Sequence, residues 1–172
     1  AAHWHSFLGT PSRVWIEYVM RETMGIKAEL SAETANAVYD QISERLAQDT
    51  YRPRALFERF NIEVLATTDA ALDYLAHHVQ INESGWQGRV IPTFRPDGVL
   101  DGSDPVFATN LAELETQTGC DLGSYDGYLM ALRARRIFFV EMGATATDHG
   151  VKVLQTEWLS DPNLIYQRLK TG

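Results

Sequence analysis

Four polar side chains follow short apolar runs, at positions where a parallel sheet usually carries its chemistry. Arg95 comes directly after one run, Asp69 closes a second, and Asp148 and His149 follow a third. The runs themselves cover residues 62–66, 90–94 and 144–147. Each is too short for a helix and is typical of a strand. Because the carboxyl ends of parallel strands meet at one edge of a sheet, we expect these side chains to form one polar rim.

Arg95 has the clearest chemistry of the four. A guanidinium at a strand end can hold a carboxylate or a phosphate through two parallel hydrogen bonds. A salt bridge to Asp97, two residues further along the chain, is the structural alternative. The spacing is compatible with both interpretations, and the sequence leaves them open.

Asp148 and His149 can act as an acid–base pair, or one can orient the other. Adjacent residues of a strand point to opposite faces, so at most one of the two is expected to enter a pocket. Asp69 could also be a general base. It directly precedes residues 70–80, which show helical spacing, and we favour the interpretation that it caps that helix.

The remaining histidines have structural interpretations. His3 and His5 form a His-x-His pair, but a metal site needs three or four converging ligands and we do not expect one there. His77 and His78 are predicted to end a helix, where interaction with the helix C-terminus accounts for them. The sequence has no P-loop, dinucleotide-binding glycine motif, nucleophile elbow or Cys/His zinc cluster.

The elements that must position the rim alternate between strand and helix after residue 61. Before that point the pattern is helical, which predicts a helical insertion over 1–60 and a β/α segment over 61–172. Such alternation implies a parallel sheet with right-handed crossovers. Three strands cannot close a barrel, so they are expected to belong to a larger β/α array. The predicted helix starts are Thr10-Pro11, Ser31, Pro53, Asp104-Pro105, Ser124 and Asp161-Pro162.

Composition excludes several kinds of partner. The 172 residues carry a net charge of −8 without a basic stripe, so no nucleic-acid partner is expected. No apolar run approaches the roughly 20 residues that a membrane helix needs, and no membrane partner is expected either. Cys120 is the single cysteine, so an internal disulfide is impossible and a reducing, cytoplasmic location is favoured. The acidity does not exclude an anionic substrate, because one arginine can bind a carboxylate locally.

The three strand ends together resemble the motifs of the uronate isomerase family. Thr67-Thr68-Asp69, followed by Asp73 and His77-His78, is similar to the family's T-T-D-D-P-x-D…H-H segment. Phe94-Arg95-Pro96-Asp97 is similar to a strand that ends in W/F-R-P-D, and Thr147-Asp148-His149 to an S/T-D-H motif. Helical matches upstream are Met24-Gly25-Ile26, Thr34-Ala35 and Arg54-Ala55-Leu56.

The resemblance implies a fold, a reaction and roles for residues. The family belongs to the amidohydrolase superfamily and has a distorted (β/α)8 barrel, so this chain would be a partial TIM-barrel segment of about three parallel strands. The reaction interconverts D-glucuronate with D-fructuronate, and D-galacturonate with D-tagaturonate, by moving a proton between C2 and C1 through an enediol-type intermediate. Arg95 would bind the carboxylate of the uronic acid, Asp148 would be the catalytic residue, and His149 would contact substrate. A homo-oligomer is expected.

The same resemblance places the metal ligands outside this chain. The family's divalent metal, expected to be zinc, is held by a His-x-His on the first barrel strand and an aspartate on the last. Neither falls within residues 1–172, so no metal ligand is expected here. Asp69-Ala70-Ala71 replaces D-D-P, which marks a divergent branch. Two alternatives stay open: a metal-dependent hydrolase of the same superfamily, and a non-enzymatic fragment that binds sugar acids.

Overall fold

The computed structural model of the protein describes residues 1–150 and 157–171. Contacts within the chain divide it into two units, Ala1–Ile62 and Glu63–Gly172. No helix in the described ranges is both long and apolar enough to cross a membrane. The helices are α1 (Pro11–Tyr18), α2 (Ala35–Leu46), α3 (Pro53–Arg59), α4 (Ala76–Glu83), α5 (Phe107–Thr118), α6 (Tyr125–Glu141) and α7 (Pro162–Thr171). The strands are β1 (Val64–Ala66), β2 (Asp69–Ala70), β3 (Arg89–Ile91) and β4 (Phe94–Arg95).

The first unit is helical, as the sequence predicts. Thr10 caps α1, since its hydroxyl accepts a hydrogen bond from the Arg13 N–H, and α1 continues into a π-helix over Val19–Thr23. The predicted cap at Ser31 is wrong. Helix α2 begins at Ala35, and the Ser31 hydroxyl instead accepts from N–H groups in the turn that precedes the helix. A serine whose hydroxyl accepts hydrogen bonds from the N–H groups of a turn has the same local sequence pattern as a serine that caps a helix.

The second unit contains the sheet, whose strands run parallel in one register. Strand β1 pairs with β3, and β2 pairs with β4. Hydrogen bonds continue between the β1–β3 pair and the β2–β4 pair. The N–H groups of Thr67, Asp69 and Ala71 donate to the carbonyls of residues 91, 93 and 95. Val64 pairs with Arg89 and Asp69 pairs with Phe94, so the register is the same in both pairs. The two polar strand ends therefore lie side by side.

The strand predicted over 144–147 is shorter than expected. Among the described residues it forms a single parallel bridge, between Thr147 and Phe94. Pro92 explains this. The Ile91 carbonyl accepts from the first strand, so the nitrogen of Pro92 faces the third segment, where it has no proton to donate. Pairing resumes one donor later, where the Phe94 N–H reaches the Ala146 carbonyl.

The helix predicted over 70–80 begins later than expected, at Ala76. Residues 71–75 form a loop that ends at Leu75, a buried residue in the left-handed region with φ of +54°. The Asp73 carboxylate accepts a hydrogen bond from the Leu75 N–H at 2.6 Å and so favours the turn over the helix. Helical spacing of the apolar residues misled the sequence interpretation, because local hydrogen bonding decides where the helix begins.

Helix α6 packs on one face of the sheet, and α5 and α7 pack on α6. Ser124 caps α6 and Gly119 ends α5 in the left-handed conformation, as the sequence predicts. Phe94 of the sheet packs edge to face on Phe139 of α6, with ring centroids 5.0 Å apart. Both rings are fully buried, and each contributes about 1.5–3 kcal/mol to stability by leaving water.

Strand alternation gives the sheet two different faces. Pro92, Phe94 and Pro96 are buried on the face that the helices cover. Arg95 points to the opposite face, because successive residues of a strand alternate. On that face Val64, Ala66 and Ala70 are exposed, which leaves the guanidinium of their neighbour accessible at the strand end.

Candidate functional site

Arg95, Asp97 and Asp148 come together at the carboxyl ends of the strands. The Arg95 Nε lies 2.7 Å from Oδ2 of Asp97, and its Nη1 lies 3.5 Å from Oδ2 of Asp148. The Arg95 side chain is 42% exposed. Hydrogen bonding to Asp97, and then the charges of Asp97 and Asp148, raise the pKa of Arg95. The site thus holds a fixed, accessible cation between two carboxylates.

Asp97 connects the ends of two segments. Besides Arg95, its carboxylate accepts from the Gly150 N–H, at 3.1 and 3.2 Å to the two oxygens. These interactions lower the pKa of Asp97; the hydrogen bond from Arg95 is the largest cause, and the Gly150 N–H and the positive charges of Arg95 and His149 add to it. A Cβ at Gly150 would lie 2.9 Å from the carboxylate, so the close approach depends on glycine.

The guanidinium keeps donors for a ligand although it forms the salt bridge to Asp97. Asp97 engages Nε with one oxygen. The 3.5 Å separation from Asp148 is longer than a charge-assisted hydrogen bond of about 2.7–2.9 Å. The Nη2 group of Arg95 has no hydrogen-bond partner within 1–150 and 157–171. The two interpretations that the sequence leaves open are therefore compatible: Nε of Arg95 holds Asp97, and among the described residues Nη2 remains without a hydrogen-bond partner.

His149 is placed differently from Asp148. Its side chain is exposed and forms no hydrogen bond to another residue that the structure describes. It is close enough to Asp97 for a small effect on the pKa of that carboxyl. Asp148 is the member of the pair that turns toward Arg95, and its N–H donates to the Phe94 carbonyl at 3.0 Å.

A second polar cluster lies on the helix-covered face and was missed by sequence reasoning. The Thr67 hydroxyl lies 2.7 Å from Oδ2 of Asp69 and 2.9 Å from Nε2 of His78. The predicted roles of Asp69 and His78 at helix ends are wrong. Asp69 belongs to β2, and His78 is in the first turn of α4, where it is buried. Thr67 and Asp69 are two residues apart on a strand and share a face, so their contact could be predicted from the sequence. The contact with His78 could not, because the sequence predicts a helix that begins at residue 70 and not at Ala76.

A third feature that the sequence did not reveal is the anchoring of the loop over 71–75. The buried side chain of Arg135 donates from Nε to the Ala71 carbonyl at 2.7 Å and from Nη2 to the Asp73 carbonyl at 2.8 Å. Gln117 donates to the Leu72 carbonyl between them. Burial lowers the pKa of Arg135, and stacking 4.4 Å above the Phe138 ring shields its other side. The position of Arg135 among the apolar residues of α6 is the sequence feature that could have indicated a buried arginine.

The sequence of nearly the whole chain matches a known family. The model of the glucuronate isomerase family, UxaC, matches residues 1–170. The chain belongs to the glucuronate isomerase family.

Relatives in this glucuronate isomerase family are much longer than the chain. It is 55% identical to a uronate isomerase of Rhizorhabdus wittichii over 174 residues, which cover 100% of the chain and 37% of the relative. It is 51% identical to a uronate isomerase of Rhizobium meliloti, with 99% and 37% covered. The chain thus spans about 37% of the length of these curated relatives.

Solved structures show the same fold. The crystal structure of glucuronate isomerase from Caulobacter crescentus matches with a TM-score of 0.91 and 42% identity, over 99% of this chain and 36% of that one. Uronate isomerase from Thermotoga maritima matches in fold with a TM-score of 0.87 at 24% identity, over 99% of this chain and 38% of the other. The fold is a mixed α/β arrangement with short parallel strands, as in these proteins.

The described part of this glucuronate isomerase family member does not supply a metal centre. Within 1–150 and 157–171, no group of three or more His, Cys, Asp or Glu side chains is arranged to hold a metal ion. Arg95 lies between Asp97 and Asp148, so a cation occupies the position that a metal would need between the two carboxylates. These residues fit an anion-binding role and do not fit a metal.

Proposed function

We propose that the protein is a uronate isomerase, which interconverts D-glucuronate with D-fructuronate and D-galacturonate with D-tagaturonate, and that this chain supplies part of its active site. Arg95 is the observation that carries the proposal: its guanidinium is fixed through Nε and partly exposed at the strand ends, and no described residue accepts a hydrogen bond from its Nη2. Membership of the glucuronate isomerase family and the names of relatives at 51–55% identity support it.

Arg95 binds the carboxylate of the uronic acid in this proposal. Its planar fork matches the two oxygens of a carboxylate, and Asp97 orients the fork by holding Nε. The Gly150 N–H holds Asp97 in turn. The carboxylate of the substrate is remote from the carbons that react, so this interaction positions the sugar and leaves the proton transfer to other groups.

Asp148 is the catalytic residue of the proposal. Its carboxylate lies 3.5 Å from the Nη1 of Arg95, at the same strand-end rim, and we assign it the role of a general base. Arg95, Asp97 and Asp148 together carry one net negative charge. The negative charge of Asp148 therefore weakens the binding of an anionic substrate at Arg95. This favours a catalytic role for Asp148 over a role in substrate binding. His149, next in the chain, contacts substrate in this proposal.

The finer architecture is also part of the proposal. We propose a distorted (β/α)8 barrel of the amidohydrolase superfamily, with 1–60 as a helical insertion and 61–172 as a barrel segment. The constant parallel register and a sheet with one helix-covered face support it. In a barrel the face that bears Arg95 would be the interior, and the strand ends would form the active-site rim.

A divalent metal, with zinc as the expected ion, completes the proposal, with its ligands outside this chain. It would supply Lewis-acid polarisation of a substrate oxygen. A homo-oligomer and a cytoplasmic location are proposed with it.

The test is an NMR assay of the whole protein with D-glucuronate and D-galacturonate, loaded with Zn²⁺. We expect the anomeric signals of each aldose to be replaced by the signals of the corresponding ketose. Hydrolysis of a lactone or amide panel without this conversion would overturn the proposal in favour of a hydrolase. Binding of D-glucuronate in a calorimeter, without conversion of either sugar, would overturn it in favour of a sugar-acid binding protein.

A further inference from the structure

Thr67, Asp69 and His78 form a compact polar cluster between the sheet and helix α4. Three groups lie within reach of the Thr67 hydroxyl oxygen: Oδ2 of Asp69 at 2.7 Å, Nε2 of His78 at 2.9 Å and the Ile91 carbonyl at 3.3 Å. The His78 side chain is 8% exposed and the Asp69 side chain 15%. Such a cluster is stable only if its donors and acceptors match, because unmatched polar groups are costly away from water.

The single hydroxyl proton of Thr67 limits how the cluster can be bonded. An ionised carboxylate only accepts, so the contact of 2.7 Å requires Thr67 to donate to Asp69. The proton is then unavailable for His78. The contact of 2.9 Å between Oγ1 and Nε2 must therefore be made by a proton on Nε2 of the imidazole. The hydrogen bonds run in one direction, from His78 to Thr67 to Asp69.

The cluster is connected to Arg95 through the sheet. Asp69 pairs with Phe94 and Ala70 pairs with Arg95. The N–H groups on either side of Ala70, those of Asp69 and Ala71, donate to the carbonyls of Thr93 and Arg95 at 3.0 Å. Any movement of the Asp69 segment is thus transmitted directly to the backbone that carries the guanidinium.

We propose that His78 and Thr67 are positioning residues of the Arg95 site, acting through a directed hydrogen-bond relay in which His78 Nε2–H donates to Thr67 and Thr67 donates to Asp69. The relay attaches the start of β2 to the first turn of α4 and so fixes the strand that pairs with Arg95. The positioning role in turnover rests on the proposed function. The hydrogen-bond pattern of the relay does not depend on that function.

The bonding pattern is tested by NMR of the imidazole in the whole protein. We expect His78 to carry its proton on Nε2 and that proton to exchange slowly with water. Thr67→Val is close to the native shape but has no hydroxyl, and it should abolish the slow exchange. Thr67→Ser keeps the hydroxyl and should retain it. A wild-type His78 protonated only on Nδ1, or an Nε2 proton that exchanges equally in the valine and serine variants, would overturn the relay.

Turnover of D-glucuronate by the same variants tests the positioning role. Displacement of a binding group by a fraction of an ångström costs on the order of tenfold, so we expect that loss in kcat/KM for Thr67→Val and near-complete recovery for Thr67→Ser. Equal activity of the two variants would overturn positioning. Absence of isomerisation by the wild type would instead contradict the proposed function, while the NMR result would still decide whether the relay exists. If Thr67→Val does not fold, the wild-type and serine spectra decide it.

Discussion

The Arg95 guanidinium donates from Nε to Oδ2 of Asp97 across 2.7 Å, and the same carboxylate accepts the Gly150 N–H. One acidic side chain thus fixes both the cation of the site and the segment that follows Asp148. The pair is partly exposed, so its contribution to folding is small. We expect its main effect to be on the orientation of the guanidinium.

The Asp97 pair should stabilise the fold in a pH-dependent way. Arg95 and the Gly150 N–H hold the folded pKa of Asp97 below its ordinary value of 3.8. A lowered carboxyl pKa contributes stability that is complete above the ordinary value and is lost as the pH falls through the folded one. Asp97→Asn should therefore lower the free energy of unfolding by about 0.5 kcal/mol at pH 6, and the difference should shrink as the pH falls below the ordinary carboxyl pKa.

Urea unfolding of wild type and Asp97→Asn at pH 6 and at low pH measures this difference. Asp40→Asn, at an exposed position of α2, is the matched control and should show little difference at either pH. A difference between wild type and Asp97→Asn that grows as the pH falls would contradict the assigned sign.

Replacement of Asp148 should affect binding and turnover in opposite directions. Asp148→Asn removes a negative charge near Nη1 of Arg95. Loss of that charge should leave the KM for D-glucuronate unchanged or lower, while loss of the proposed base should reduce kcat by about 100-fold or more. Steady-state kinetics with the whole protein measure both constants. A raised KM with an unchanged kcat would show that Asp148 binds substrate and does not take part in proton transfer.

Arg135 should be a major contributor to stability in the second unit. Its guanidinium satisfies the carbonyls of Ala71 and Asp73 in the loop that precedes α4. Arg135→Met leaves both carbonyls without a charged donor, at about 1–3 kcal/mol for a buried group such as the Ala71 carbonyl and less for the part-buried Asp73 carbonyl, so we expect a loss of about 2–4 kcal/mol. Chemical unfolding measures it. Arg133→Met, on the exposed side of the same helix, should cost less than about 0.5 kcal/mol, and equal losses would refute the assignment.

Sequence reasoning located the strand ends because their signals are local. Helix caps such as Thr10 and Ser124 and the left-handed Gly119 depend on neighbouring residues, and the structure confirms all three. Arg95 was identified from its position after a strand. The salt bridge to Asp97 is one of the two alternatives that the sequence offers, and the structure shows that it engages Nε.

Features that depend on distant contacts could not be predicted in the same way. Within the part of the chain that the structure describes, the third segment pairs only at Thr147, because Pro92 on another strand removes a donor. The start of α4 is displaced to Ala76 by a loop whose carbonyls are held by Arg135, more than sixty residues away. The burial of His78 followed from that displacement, so the relay through Thr67 was not visible in the pattern.

The most direct test of the account is kcat/KM of Arg95→Met for D-glucuronate in the whole protein. We expect a fall of at least about 30-fold, because the carboxylate of the substrate loses its charged partner. Arg95→Lys should recover part of this loss through its charge but not the forked geometry. Arg89→Met, at the other end of β3 and β4 on the same face, should retain the wild-type value. An unchanged kcat/KM for Arg95→Met would contradict the central claim.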